Sequence, residues 1–375
     1  MKTDDMPIIE LSGTARERGH IYGETAKTLI AEVVESWRMD LGNYCKNSKT
    51  AKTINPDIYL NEFFTKTDYL TAIKKLAPRL LEEVQGIAEG SGQTFEHILG
   101  LQLIDEEWTF GLRRGLAKPV TKCSAFGIAH QGSQVSYSGQ NMDISSWVDG
   151  KQVLLRIMST ESTPEILVFA KAGNIGLNGL NASGLGITCN TLPQLNYSTK
   201  GLPVAFIVRS ILQKQSINEA EEFLCNITHA SGQNYILSSP SDMRCFECCG
   251  TSVARHKPDD AQGRVFHTNH PLVNQDTCYI LPPEKMRSKN SVARFDSIYK
   301  RLSDTSRVLV LDDIKAALAA HDDPENPVSR NNNYQGSSIG FTAGSSIYEF
   351  SNSPKLHLAA GPPCETEYKV FEFST

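Results

Sequence analysis

The stretch PVTKCSAFGIAHQGSQVSYSGQNMD, residues 119–143, decides the reading of this chain. Cys123 stands at the first position of an alternating run, CSAFGIAH, directly after the Gly/Pro/basic loop GLRRGLAKPVTK. Alternation predicts a strand here, and QVSYSGQ predicts its partner, with the hairpin turning near Gly132. A cysteine nucleophile of the papain type opens a helix, whose dipole lowers the thiol pKa, and the hairpin setting speaks against that arrangement. A nucleophile at the first residue of a strand suits another chemistry. The peptide bond before it is cut, and the new α-amino group, with a pKa of ~7.7–8.0, serves as the base. The competing reading is a buried strand thiol, which any of the nine cysteines could be.

Composition sets the frame around this segment. The chain has 375 residues, 40% of them apolar and 21% charged, enough for a large core in one large domain or two moderate ones. Lys and Arg total 37 against 42 acids, so a net charge of -5 offers no electrostatic argument for nucleic acid or an anionic membrane. A small, roughly neutral substrate fits better. The first residues, MKTDDMPIIELSGTARERGH, carry Asp4 and Asp5 and no apolar run of signal-peptide length, which predicts a cytoplasmic protein. Cysteines at 45, 123, 189, 225, 245, 248, 249, 278 and 364 form an odd, scattered set, expected to be mostly reduced and buried.

The texture of the chain changes near residue 110. Before it, ARERGHIYGETAKTLIAEVVESWRMDLG and DYLTAIKKLAPRLLEEVQGIAEGSG place apolar residues at helical spacing, and Thr94 is placed to cap FEHILGLQLIDEEWTF. Beyond the loop come short runs separated by Gly, Ser and Pro, such as QVLLRIM, EILVFA and GLGITCN, which predict antiparallel strands. VAFIVRSILQKQSINEAEEFLCNI predicts two helices, SVARFDSIYKRL and LDDIKAALAAH two more, and SSIGFTAGSSIYEF a final hairpin. Strands, helices and strands in that succession predict an α+β protein, with helices covering a mainly antiparallel sheet.

Several familiar chemistries lack their motifs. G-x-S-x-G, H-E-x-x-H and G-x-x-x-x-G-K are absent. Cys245 and Cys248 form a C-x-x-C followed by Cys249, yet no second pair completes a zinc site, and alternation in MRCFECCG predicts a strand with buried thiols. His267 and His270 of HTNH would face opposite sides of a strand, which disfavours a shared metal. Neither a metal nor another cofactor is expected.

The order and spacing of ERGHIYGETAK, LLEEVQGIAEGSGQTFEHILGLQ, CSAFGIA, SGQNMD, AGNIGLNGLNASGLGITCNTL and VFHTNHPL carry a resemblance over most of the chain. The chain resembles the penicillin acyltransferase (isopenicillin-N acyltransferase) family of N-terminal nucleophile (Ntn) hydrolases, which also includes a hydrolase of β-alanyl amines. That resemblance implies a four-layer αββα sandwich with antiparallel sheets, preceded by a helical N-terminal region. It also implies a precursor that cleaves itself between Lys122 and Cys123. Residues 1–122 would then form a helical α chain and 123–375 the β-chain core, the two staying associated as one globular unit. Position by position, Cys123 matches the processing and catalytic cysteine, Asp143 the essential acid and Asn269 the oxyanion-hole asparagine. Ser337 and Ser338 of YQGSSIGF lie near the place of another functional serine of the family.

Three departures accompany the match. Lys122 stands where the penicillin enzyme has Gly, which relieves crowding at a strained bond, so slower processing is expected. Two extra residues separate Cys123 from Asp143, and the chain ends FEFST rather than in a peroxisomal tail. The resulting expectation is a self-processing cysteine amidase acting on a small N-acyl compound through a thioester. An acyl-CoA-dependent N-acyltransferase is the close alternative, and a catalytically silent binding protein on the same fold is the alternative from another class.

Overall fold

Alternation in the segments after Cys123 produces strands, and these assemble into two facing sheets. The computed structural model describes residues 2–47, 55–116, 123–129, 135–257, 263–278, 287–331, 340–351 and 353–374, so Lys122, Ser337 and Ser338 lie outside the described residues. The larger sheet is eight-stranded, its strands lying side by side in the order of the chain: β1 (Ile8–Leu11), β4 (Gln152–Ile157), β5 (Ile166–Lys171), β6 (Asn178–Asn181), β7 (Gly186–Thr191), β8 (Gln233–Ser238), β9 (Met243–Cys248) and β10 (Val253–His256). The six-stranded sheet holds β2 (Ser124–Ile128), β3 (Ser136–Ile144), β11 (Arg264–His267), β12 (Phe341–Phe350), β13 (Lys355–Ala359) and β14 (Lys369–Glu372), ordered β11-β2-β3-β12-β13-β14. Their inner faces meet where β2 lies on β7 and β8 and where β12 lies on β6.

Helices close both outer faces. On the larger sheet α8 (Val204–Leu212) and α9 (Ile217–Asn226) lie against β6, β7 and β8, while on the smaller α10 (Lys289–Leu302) and α11 (Leu311–Leu318) lie against β2, β3 and β11. This is the α+β, four-layer αββα sandwich implied by the resemblance. Ser216 caps α9 through its side chain, as the sequence around the α8–α9 junction suggests.

The N-terminal region is helical with one exception. It runs through α1 (Ala15–Thr25), α2 (Lys27–Asn47), α3 (Pro56–Lys66), α4 (Tyr69–Leu76), α5 (Pro78–Ser91), α6 (Phe95–Gln102) and α7 (Ile104–Arg113). Thr14 and Glu17 form a capping box at the start of α1, and Thr94 caps α6 as predicted, but the helix breaks at Leu103 before α7 begins. The exception is β1, which pairs in parallel with β4 in an otherwise antiparallel sheet. Ile9 and Leu11 are buried while Ile8 and Glu10 are exposed, a period-two pattern only four residues long and overshadowed by the helical spacing that follows. Gly19 and Gly23 of α1 press on Gly86 and Gly90 of α5 so closely that a Cβ at any of the four would run into the facing backbone.

Candidate active site

Antiparallel pairing is what brings the sequence candidates together. Cys123 immediately precedes β2, and the register runs without a shift from Ser124↔Asn141 to Ile128↔Tyr137. Cys123 Sγ therefore lies 3.6 Å from Met142 Sδ and 3.9 Å from the carbonyl oxygen of Asp143. The thiol is buried, and burial, reinforced by the negative charge of Asp143, pushes its pKa up to about 12. At neutral pH it is a protonated thiol.

Asp143 is held from the neighbouring strand. Thr342 of β12 sits directly opposite it and donates its hydroxyl to Asp143 Oδ1 at 2.7 Å. The same hydroxyl accepts from the backbone N–H of Arg330 at 3.0 Å, which leaves its single proton for the carboxylate. The Arg330 guanidinium completes the group, with Nε 4.0 Å from Asp143 Oδ2 and both side chains buried.

Asn269 follows β11, the strand beside β2, and its side chain is fixed on both sides. Its Nδ2 donates to the carbonyl of Thr191 at the end of β7 at 3.0 Å, and its Oδ1 accepts from Arg294 Nη2 at 2.9 Å. Its backbone N–H donates to Ser291 Oγ at 2.8 Å, and its carbonyl accepts from Gln194 Nε2 at 3.0 Å. Thr191 is itself tied to α7, donating its hydroxyl to Asp105 Oδ2 at 3.1 Å, where Gln233 Nε2 also donates at 2.9 Å. Burial raises the Asp105 pKa, and it lowers that of the nearby buried Lys171 to about 8.

Arg294 joins the halves of the site. From α10 its Nη1 donates to the Cys123 carbonyl at 2.5 Å and to Ser124 Oγ at 2.8 Å, and its Nε to Asn290 Oδ1 at 3.1 Å. Burial lowers its pKa to about 10, opposed by Asp143, so it remains a cation at neutral pH. The histidines of HTNH have other engagements. His267 donates to Glu247 Oε1 at 2.8 Å, while His270, whose pKa burial lowers to about 4, lies 2.8 Å from Ser291 Oγ. Glu247 also accepts from the backbone N–H groups of Leu272, Val273 and Asn274, which steadies the loop that follows Asn269.

The structure thus brings Cys123, Asp143 and Asn269 to one place, and adds Arg294, Arg330, Thr342 and Thr191, which sequence reasoning missed. A signal existed for Arg294. It shares the buried face of α10 with Ser291, Ile298 and Leu302, and a charged residue at helical spacing among apolar ones asks for a partner. The other thiols are ordinary by comparison: all eight described cysteines are free and six of them are buried.

The family model described as acyl-coenzyme A:6-aminopenicillanic acid acyl-transferase matches residues 130–363, more than half of the chain, and includes Asp143 and Asn269; it begins after Cys123. The chain belongs to that acyl-transferase family. A relative from Emericella nidulans, the acyl-coenzyme A:6-aminopenicillanic-acid-acyltransferase 40 kDa form, is 26% identical over 267 residues, 71% of this chain and 70% of that protein. Among solved structures, the Caenorhabditis elegans N-acylethanolamine-hydrolyzing acid amidase ortholog superposes with a TM-score of 0.43 at 15% identity, over 60% of this chain and 92% of the other. Penicillin V acylase from Agrobacterium tumefaciens does so with a TM-score of 0.44 at 14% identity, over 67% and 86%. Both are too distant to bear on substrate. No helix among the described residues is long and apolar enough to cross a membrane.

Proposed function

We propose that the protein is an autoproteolytically activated cysteine amidase that hydrolyses the amide bond of a small N-acyl compound. In the first event the Cys123 thiol attacks the Lys122 carbonyl carbon, the acyl group passes from nitrogen to sulfur, and water releases the Lys122 carboxylate, leaving a free thiol and a free α-amine. In turnover the neutral α-amine takes the thiol proton and the thiolate attacks the substrate carbonyl. One N–H of Asn269 is occupied by Thr191; the second is available to the developing oxyanion, a bond of a kind worth ~3–4 kcal/mol in the transition state. Collapse expels the amine, which takes the proton back, and water attacking the thioester frees the acid. Asp143, pinned by Thr342 and facing Arg330, holds the α-ammonium.

The observation that carries this reading is the single buried guanidinium that touches both the Cys123 carbonyl and the Asn269 amide. The thiol pKa of about 12 in the uncut chain supports it from the other direction, because such a thiol needs the base that cleavage would create. Acyl transfer is a second reading, favoured by the family description: the same thioester, loaded from acyl-CoA with loss of CoA thiol, would pass its acyl group to an amine. Intact mass and N-terminal sequencing test the first event. Fragments of residues 1–122 and 123–375 should copurify, and an active chain that never exposes Cys123 as an N-terminus would sink the reading. Mass-spectrometric screening of N-acyl amides, with and without an acceptor amine, separates hydrolysis from transfer.

A further inference from the structure

The geometry points to Arg294 as the positioning residue of the oxyanion site: it decides which way the Asn269 amide faces. This assignment rests on the amidase reading and adds to it the group that orients its donor. An amide side chain has two nearly equal-sized ends, and only its hydrogen-bond partners determine which one points at the substrate. Arginine has five N–H donors and no acceptor, so the end of Asn269 that meets Arg294 Nη2 at 2.9 Å must be the oxygen. The carbonyl of Thr191, an acceptor only, then requires the nitrogen end at 3.0 Å. With both partners committed, flipping the amide would set donor against donor and acceptor against acceptor inside a buried site, which holds it in one orientation.

The same guanidinium fixes distance as well as orientation. Through Nη1 it holds the Cys123 carbonyl and Ser124 Oγ, so the residue bearing the nucleophile and the residue bearing the oxyanion donor hang from opposite arms of one planar fork. Asn290, one turn earlier on α10, holds the fork through Nε at 3.1 Å. Lysine could not reproduce this, since a single ammonium cannot span both partners in fixed directions. Arg294 thus acts on the reaction through Asn269, whose direction and distance from Cys123 it sets, without touching substrate.

A double-mutant cycle between Arg294→Lys and Asn269→Ala tests the assignment, with kcat and KM measured per active site on processed enzyme titrated with iodoacetamide. Arg294→Lys alone should lower kcat ~10–100-fold with KM within about twofold. In the Asn269→Ala background it should cost less than about threefold, because the amide it orients is gone. Losses by the same factor in both backgrounds overturn the assignment and leave the amidase reading standing. An Asn269→Ala that is itself silent would bring both down. Where a variant is cut too slowly to yield processed enzyme, the rate of fragment formation in the same four proteins supplies the numbers. Should Asn269→Ala fold poorly, Asn269→Leu replaces it: the side chain keeps the volume of the amide and sets no acceptor against the Thr191 carbonyl, and it has no donor, so kcat should fall as far.

Discussion

One strand of this molecule follows a cysteine and another carries two, and they show how little burial alone says about a thiol. On β9 Cys245 and Cys248 are fully buried and their pKa values lie well above that of an ordinary thiol, through desolvation. Cys123 before β2 is buried too, and raised to about 12. The difference is in what surrounds them. Cys245 donates to Asn234 Oδ1 at 3.0 Å, and Cys249 beyond the strand lies within hydrogen-bonding reach of Ser252 and Asp276, all acceptors or neutral hydroxyls. Around Cys123 stand two arginines, a carboxylate and an amide, arranged around the place where a negative charge would develop.

The comparison breaks most visibly on deletion of the thiols. Cys123→Ala should stay a full-length chain with no turnover, whereas Cys245→Ala should lose ~1 kcal/mol of stability and still cut and turn over normally. Gel analysis with a thermal melt reads both. Cys245→Ala that folds but fails to cut would erase the distinction.

Asn269 gives the next largest effect. Asn269→Ala should lower kcat by ~100-fold or more with little change in KM, since the bond it makes to the oxyanion is strongest in the transition state. Were Asn269 only a strut between Thr191 and Arg294, the melting temperature would drop and single-turnover acylation would not change. Thermal melting beside single-turnover kinetics tells which.

Alkylation against pH sharpens the comparison most finely. In uncut chain, iodoacetamide should label Cys123 slowly at neutral pH, at a rate rising ~10-fold per pH unit toward the thiol pKa of about 12. After cleavage the rate should rise only until the α-amine has lost its proton, near pH ~8, and then level off, with kcat/KM following it. Mass spectrometry of a partly processed sample reads both species in one tube. Parallel profiles for the two would remove the α-amine from the mechanism.

How much of this was legible in the sequence depends on range. Cys123 and Asp143 lie on one hairpin, which strand alternation predicts, while the role of Asp143 rests on the family resemblance. Asn269 was reached through the family resemblance, because nothing local distinguishes an asparagine after a strand from a turn residue. Arg294 and Arg330 come from α10 and from the segment before β12, and their roles depend on packing between layers, which no periodicity encodes. The short β1 was missed for a related reason: four residues carry too little pattern, and its partner β4 is far along the chain. Lys122, Ser337 and Ser338 lie outside the described residues.

Consider finally what lies across the proposed cut. Glu83 of α5 meets Arg209 of α8 in a fully buried two-pronged pair, at 2.8 and 3.2 Å; β1 completes a sheet whose other strands all follow Cys123; and Asp105 of α7 steadies the Thr191 whose carbonyl receives Asn269. Once severed before Cys123, the chain is therefore two polypeptides with one hydrophobic interior and one catalytic centre. Neither piece would then stand alone: the smaller could not leave without stranding a buried charge and an open sheet edge, and the larger made alone would lack the support behind the proposed oxyanion donor. Such an enzyme has a fixed one-to-one stoichiometry that no dilution alters, and it ages as one object, since unfolding of either polypeptide retires both.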